Sequence, residues 1–224
     1  MTSPMEKFWN FFCLSRSKQF VLHERIEDDR SKLSGINLAH DLTIEGHLNL
    51  LQYSIQFPRV TKLILKDTRL EEDSSFLRQL NSLVPLTQIT NLVVIENRMS
   101  IDQLRLFPNL ESLTLPNLFP LRMKIYRNDK LIQLNIDDDV CELKHLRCLL
   151  RLFPHLQSLE IGINEDQWRE ILQLILTKSR HLFSLFLLNI NSKLFEQMRK
   201  FLQRENFIRD YTIERMEGGL YLWW

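Results

Sequence analysis

The apolar residues of this chain repeat one local pattern: an apolar residue, two free positions, an apolar residue, one free position and a further apolar residue. The last apolar position of the copies falls at Leu65, Val94, Leu115, Ile136, Ile161 and Leu187, with gaps of 29, 21, 21, 25 and 26 residues. A Phe-Pro step precedes the copies at 57–58, 107–108 and 153–154. A strand-like motif that returns at intervals of about 20–50 residues indicates a stack of similar supersecondary units.

Between these copies the apolar residues follow a helical period. The members of one such face are Trp168, Ile171, Leu172, Ile175 and Leu176. Asn164 lies where the N-cap of this predicted helix is expected. Similar faces occur within 76–84, 101–107, 146–153 and 194–202, the last behind Ser192. Strand and helix patterns therefore alternate, which predicts a parallel sheet with right-handed crossovers.

The spacing fits a leucine-rich repeat, whose pattern is L-x-x-L-x-L-x-x-N/C in units of about 20–29 residues. Asn97 and Asn164 occupy the Asn/Cys position of two copies. We therefore predict an α/β leucine-rich-repeat solenoid, a horseshoe with parallel strands on the concave face and helices on the convex face. Residues 1–35 are predicted to be a helical cap or its remnant, 36–208 the repeat array, and 209–224 a β-hairpin cap around a Gly-Gly turn.

Strand alternation predicts which side chains leave the core, because neighbouring residues of a strand point to opposite faces. If Leu63 and Leu65 point inward, Ile64 points outward. The same offset predicts a protein-binding concave face whose members are Ile64, Val93, Ile95, Thr114, Asn135, Asp137, Glu160, Phe186 and Leu188. Exposed apolar side chains with a polar rim are typical of protein contacts. The alternative is that terminal segments cover the apolar ends of this face.

Composition narrows the functional classes. The 224 residues carry 29 Lys and Arg against 28 Asp and Glu, without a strongly basic block, which argues against nucleic acid as a partner. No apolar run is long enough to span a membrane. Three cysteines cannot complete a disulfide framework, and no signal peptide is evident, so the cytoplasm or nucleus is expected. We expect a monomer that binds protein partners.

Motifs for catalysis are missing from the sequence. It contains neither a phosphate-binding Gly-rich loop nor a recognisable nucleophile motif, so we expect no enzyme activity and no cofactor. Asp137–Asp139 follow a predicted strand and could hold a hard cation, but a solvated turn is favoured because the pattern places no second carboxylate cluster to complete a site.

One alternative assigns chemistry to the cysteines. Cys141, His145 and Cys148 are spaced to share one side of a predicted helix and could hold zinc, with His155 or His181 as a fourth ligand. The flanking leucines explain the same spacing as an ordinary core face, because cysteine is often buried as a small apolar residue. We therefore predict no metal site.

The segment Leu83–Leu92, LVPLTQITNL, resembles a stretch of the large invertebrate families of F-box-type leucine-rich-repeat proteins. The Leu-Phe-Pro-x-Leu-x-Ser-Leu steps at 106–113 and 152–159, and the ending 209–224, are similar to it too. In that family an F-box docks on a ubiquitin-ligase adaptor, and the repeats hold the protein to be ubiquitinated. Residues 1–35 lack the Leu-Pro step and acidic-apolar helix of an F-box.

The resemblance therefore implies a protein-binding leucine-rich-repeat module, similar to the substrate-recognition half of a ubiquitin-ligase subunit. Its partner would be a ubiquitination substrate. The chain is expected to be a truncated relative or a piece of a longer product. The alternative is an intracellular leucine-rich-repeat scaffold or inhibitor without a ubiquitin role.

Overall fold

The computed structural model describes residues 19–22, 39–46, 56–66, 68, 74–95, 101–116, 127–205, 211–216 and 219–224. The chain divides into two compact units, Met1–Leu110 and Glu111–Trp224. Each unit combines mostly parallel strands with helices, so the predicted α/β class is confirmed.

The described residues of the first unit form four parallel strands, side by side in chain order. They are β1 (Gln19–Leu22), β2 (Asp41–Glu45), β3 (Lys62–Lys66) and β4 (Asn91–Ile95). Helix α1 (Ser74–Leu83) and a 3-10 turn (Leu86–Gln88) connect β3 to β4, and a second 3-10 helix (Ile101–Leu106) follows. Residues 19–22 are thus a strand where a helical cap was predicted for 1–35, and the rest of that range lies outside the described residues.

Where the second unit is described, it has four parallel strands and an antiparallel end. The parallel strands are β5 (Ser112–Leu115), β6 (Gln133–Cys141), β7 (Ser158–Ile163) and β8 (Ser184–Leu188). Helices α2 (Leu143–Leu152) and α3 (Trp168–Lys178) connect β6 to β7 and β7 to β8, and α4 (Ser192–Glu205) follows β8.

The predicted C-terminal hairpin is confirmed. Strands β9 (Thr212–Met216) and β10 (Gly219–Trp223) are antiparallel, and β10 also pairs antiparallel with β8. The hairpin therefore lengthens the sheet of the second unit by two strands in the plane of the sheet. The hairpin lies beside Phe186 and Leu188 rather than over them, and both side chains are half-buried.

The inward positions of the strands confirm the predicted register. Each of these strands buries two inward residues, which are Leu63 and Leu65, Leu92 and Val94, Leu113 and Leu115, Leu134 and Ile136, Leu159 and Ile161, and Leu185 and Leu187. The helices supply the other side of the core through residues such as Leu149 of α2, Ile175 of α3 and Met198 of α4. Since a one-residue slip would expose all the inward side chains at once, this alternation strongly specifies the register.

A backbone junction recurs where strands begin. Two successive backbone N–H groups donate to one carbonyl oxygen of the preceding segment. The donor pairs and acceptors are Thr61 and Lys62 to His40, Thr90 and Asn91 to Thr61, Ile132 and Gln133 to Glu111, Gln157 and Ser158 to Ile132, and Phe183 and Ser184 to Gln157. The sequence repeat is therefore also a repeat of backbone geometry within each unit.

Two predicted helix starts differ in the structure. Asn164 does not cap α3: its side-chain oxygen accepts the N–H of Asp166 at 2.9 Å, and its carbonyl accepts the N–H of Gln167 at 3.1 Å. These bonds close a separate turn before the helix. Ser192 is the first residue of α4, and the cap is Asn191, whose Oδ1 accepts a backbone N–H of the first turn at 2.9 Å. Asparagine competes with serine here because its carbonyl oxygen reaches the same N–H groups.

The prediction that Cys141, His145 and Cys148 share one helix is also wrong, because Cys141 does not lie on it. Strand β6 extends through Cys141, which is fully buried, and only His145 and Cys148 lie on α2. The run Asp137–Asp139 belongs to this strand rather than to a turn, and the pairing of β6 with β7 shifts register between Ile136 and Cys141. The longer strand removes Cys141 from the helical face that the spacing had suggested.

Candidate protein-binding faces

The nine predicted binding residues all lie at outward strand positions, three in the first unit and six in the second. In the first unit, Ile64 and Val93 are directly opposite each other on β3 and β4 and are half-buried. Ile95 is exposed, at 37%, and pairs in register with Lys66. Lys66 Nζ lies 2.9 Å from Glu45 Oε1 on the next strand. We call Ile64, Val93, Ile95, Lys66 and Glu45 the first-unit face; it is a small apolar surface with an ion pair at its edge.

The second unit aligns outward side chains in a row across six strands. The members, from β5 to β9, are Thr114, Asn135, Glu160, Phe186, Tyr221 and Glu214. Asp137 lies two residues beyond Asn135 on β6, and Leu188 two residues beyond Phe186 on β8. We call these eight residues, together with Trp223, the second-unit face. The structure thus brings Thr114, Asn135, Asp137, Glu160, Phe186 and Leu188 together on one surface.

Aromatic side chains occupy the hairpin side of the second-unit face. The ring centroids of Phe186 and Tyr221 are 6.1 Å apart, and those of Tyr221 and Trp223 are 4.9 Å apart. The Tyr221 hydroxyl is 2.8 Å from the hydroxyl of Ser184, which is itself 94% buried, being 6% exposed. Tilted aromatic pairs of this kind stabilise one another. The three rings therefore form a fixed, half-buried surface.

Acidic side chains occupy the middle of the second-unit face. Asp137 is exposed and Glu160 is half-buried on the neighbouring strand. Partial burial raises the pKa of the Glu160 carboxyl, and the negative charge of Asp137 raises it further. Both causes act because the carboxylate is partly removed from water next to a like charge. The ionised form of Glu160 is therefore less favourable in the folded protein than in water.

Tyr221, Trp223 and Glu214 also belong to this face, but they are not among the binding residues predicted from the sequence. The sequence predicts that residues 209–224 form a cap, and that prediction leaves their outward positions off the binding surface. The alternation of Leu220 and Leu222, both buried, with Tyr221 and Trp223 carries the signal. Because a hairpin can pair at the edge of a sheet or lie over its face, alternation alone does not decide between the two.

A cavity of about 260 Å³ lies on the helical side of the second unit. It is lined by Arg169, Gln197, Lys200, Phe201 and Arg204. Phe201 forms its aromatic part, with its ring centroid 5.3 Å from that of Trp168 in an edge-to-face arrangement. The helical side therefore presents basic groups, in contrast to the acidic sheet face.

The zinc hypothesis receives no support from the side-chain positions. Within the described ranges, no group of three His, Cys, Asp or Glu side chains is arranged to hold a metal ion. The rings of His155 and His181 are 5.0 Å apart, but both side chains are exposed. Cys141 Sγ instead lies 3.7 Å from the carbonyl oxygen of Glu142.

None of the helices in the described residues has the length and apolar character needed to cross a membrane. Comparisons with protein-family models, with curated proteins and with solved structures find no match to this chain.

Proposed function

We propose that this chain is a protein-binding module of the leucine-rich-repeat type, which uses the outward side chains of its parallel strands to hold a protein partner. The observation that carries the proposal is the row Thr114, Asn135, Glu160, Phe186, Tyr221 and Glu214. It combines apolar, polar and acidic groups on the face of the sheet that points away from the buried core. Aromatic anchors with a polar surround are the groups that dominate protein interfaces.

The leucine-rich-repeat and F-box-type parts of the proposal rest mainly on the sequence. The L-x-x-L-x-L spacing and the recurring two-to-one backbone junction support a leucine-rich-repeat arrangement with the strands on a concave face. The steps at 83–92, 106–113 and 152–159 support a relation to F-box-type ubiquitin-ligase subunits, with the repeats as the substrate-holding half. On this proposal the chain acts as a monomer in the cytoplasm or nucleus and performs no catalysis.

Affinity capture from cell extract tests the proposal. The wild-type chain and two single-residue variants are each used as bait. Phe186→Ala removes the aromatic side chain that lies opposite Glu160 on the second-unit face. Phe183→Ala removes a phenylalanine that is 49% exposed just before β8. We expect wild type and Phe183→Ala to recover the same partner and Phe186→Ala to lose it. Recovery of one partner set by all three baits would show that this face is not the binding surface.

The identity of the co-captured proteins separates the two versions of the proposal. A ubiquitin-ligase adaptor or ligase subunit recovered with the bait supports the F-box-type assignment. A stably bound partner whose cellular lifetime does not change on overexpression of the chain favours a scaffold or inhibitor, which needs only the repeat and its face.

A further inference from the structure

We propose that the second-unit face binds an arginine-bearing segment of a protein partner, with the guanidinium held between the acidic and the aromatic side chains. The inference rests on the proposed function and adds the chemical class of its ligand.

The charged residues at the described outward strand positions of the second unit are all acidic. Asp137, Glu160 and Glu214 are the charged residues among them, and the remaining positions carry Ser, Thr, Asn, Gln, Gly, Leu, Met or aromatic side chains. The chain as a whole is nearly neutral, with a formal net charge of +1. The acidic character is therefore local to this face, and charge complementarity favours a cationic partner segment.

The register places a carboxylate beside aromatic rings. Glu160 is directly opposite Phe186, and Phe186 directly opposite Tyr221, on three adjacent strands. Adjacent strands lie about 4.8 Å apart. A cation over the Phe186 ring, within about 6 Å of its centroid, is therefore also near the Glu160 side chain.

Arginine fits this arrangement better than lysine. Its planar guanidinium can stack on a ring while its edge donates two parallel hydrogen bonds to a carboxylate, and it is less strongly hydrated than an ammonium group. Successive outward residues of an extended segment are about 6.8 Å apart, so alternate arginines can face more than one acidic group.

Among the described residues, Glu160 has no oppositely charged partner. Its carboxylate forms no ion pair there, and the charge that shifts its pKa is that of Asp137, of the same sign. Folding therefore keeps two carboxylates close together without neutralising them. A bound guanidinium would remove this repulsion, so ligand binding and the ionised state of Glu160 should reinforce each other.

The test uses the whole chain and two fluorescein-labelled peptides. The first is the capped peptide Arg-Val-Arg-Val-Arg, and the second replaces each arginine by citrulline, which keeps the shape and loses the charge. Fluorescence anisotropy measures the Kd of each peptide at low and at high salt. Glu160→Gln, Asp137→Asn and Phe186→Ala are the test variants. Glu170→Gln, which removes an exposed charge on α3, is the matched control.

We expect the arginine peptide to bind and the citrulline peptide to bind roughly tenfold more weakly or not at all. Glu160→Gln and Phe186→Ala should each raise the Kd roughly 3- to 10-fold, and raised salt should weaken binding. Glu170→Gln should leave the Kd unchanged. Circular dichroism of each variant checks that it is folded.

Three results would overturn the inference. The first is equal binding of both peptides, or of neither at about millimolar concentration. The second is an equal loss with Glu170→Gln and Glu160→Gln, since binding would then follow overall charge. The third is self-association of the chain that Glu160→Gln abolishes, because the occupant of the face would then be a second copy, docked through the basic groups near Arg169 and Lys200.

Failure of the inference and failure of the proposed function remain distinguishable. If a captured partner is lost with Phe186→Ala but kept with Glu160→Gln and Asp137→Asn, the face binds protein without needing a cation. If capture is unaffected by all three variants, the proposed binding surface itself is wrong.

Discussion

The ring of Phe186 lies against the backbone of Gly219, in the space that any larger residue would need. A Cβ atom at Gly219 would stand 2.9 Å from Phe186 Cζ and 3.1 Å from Cε2, and the carbonyl oxygen of Leu187 also lies in its way. This contact explains how Phe186 is both outward-facing and half-buried: its ring leans over the neighbouring strand of the hairpin. The hairpin therefore supports the binding face from the side.

Gly219→Ala should destabilise the protein by about 1–3 kcal/mol, since the added methyl group overpacks against backbone and ring. Urea unfolding of wild type and variant measures the change in free energy of unfolding. The double variant Gly219→Ala/Phe186→Ala is the control. Because the ring is one of the two obstacles, the cost of Gly219→Ala should be smaller in the Phe186→Ala background. Equal costs in both backgrounds would contradict the contact.

Leu185 and Phe186 are neighbours in sequence but differ in burial. Leu185 is 0% exposed, so Leu185→Ala should cost about 2–5 kcal/mol of stability. Phe186→Ala should cost less, about 0.5–1.5 kcal/mol, because it removes mainly the aromatic contact with Tyr221. Thermal melts of the two variants compare the losses. Equal destabilisation would mean that the ring of Phe186 belongs to the core and is not a free binding surface.

The Ser184–Tyr221 hydrogen bond connects a parallel strand to the hairpin. Tyr221→Phe removes it while keeping the ring, and should cost about 0.5–1.5 kcal/mol because the buried Ser184 hydroxyl loses its partner. In a Ser184→Ala background the same change should be nearly neutral. A double-mutant cycle measured by urea unfolding checks this, and a coupling energy near zero would contradict the bond.

The raised pKa of Glu160 predicts how the stability of the protein changes with pH. Its folded-state pKa is raised, so folding favours the protonated carboxyl. The resulting stability is fully present below the ordinary glutamate pKa, about 4.3, and is lost as the pH rises through the folded pKa. Glu160→Gln should therefore stabilise the protein at pH 7, by less than about 1 kcal/mol because solvent screens the half-exposed group.

The difference between Glu160→Gln and wild type should shrink as the pH falls below the ordinary glutamate pKa, about 4.3, since wild-type Glu160 then becomes protonated in both states. Urea unfolding of both proteins at neutral and acid pH measures it, and other titrating groups cancel in the comparison. Glu170→Gln, which removes an exposed charge on α3, is the control. A destabilising effect of Glu160→Gln at neutral pH would contradict the raised pKa.

Asn191 caps helix α4 and also contacts the turn that precedes α3. Its Oδ1 accepts the N–H of Leu194 at 2.9 Å, and its Nδ2 donates to Glu165 Oε1 at 2.6 Å. Asn191→Ala should cost about 0.5–2 kcal/mol. Ser192→Ala, one residue on, should cost less, because Ser192 is already inside the helix. A larger loss from Ser192→Ala than from Asn191→Ala in thermal melts would contradict the assignment of Asn191 as the cap.

Which side of each strand faces the core followed from the sequence alone. The apolar spacing requires Leu63, Leu92 and Leu159 to share one direction, and strand alternation then sends Ile64, Val93 and Glu160 the other way. This inference depends only on local chain geometry, and the burial of these residues confirms it. The antiparallel hairpin was predictable for the same reason, since Gly-Gly between alternating runs is a local turn signal.

Competing local bonds decided the features that the sequence left open or that were predicted wrongly. Asn164 could cap a helix or close a turn, and backbone placement selects the turn. Cys141 could begin a helix or end a strand, and pairing with Ile163 of β7 extends the strand through it. Sequence periodicity counts residues but does not show which backbone partner is available at each position.

The composition of the second-unit face was decided by tertiary structure. Nothing in the local pattern of 219–223 says whether that strand lies over Phe186 or beside it. Pairing of β10 with β8 places Tyr221 opposite Phe186, and the absence of a side chain at Gly219 gives the ring its room. Side-chain direction within a strand is set by the chain itself, whereas the neighbour across a strand pair is set by long-range hydrogen bonding, which periodicity does not encode.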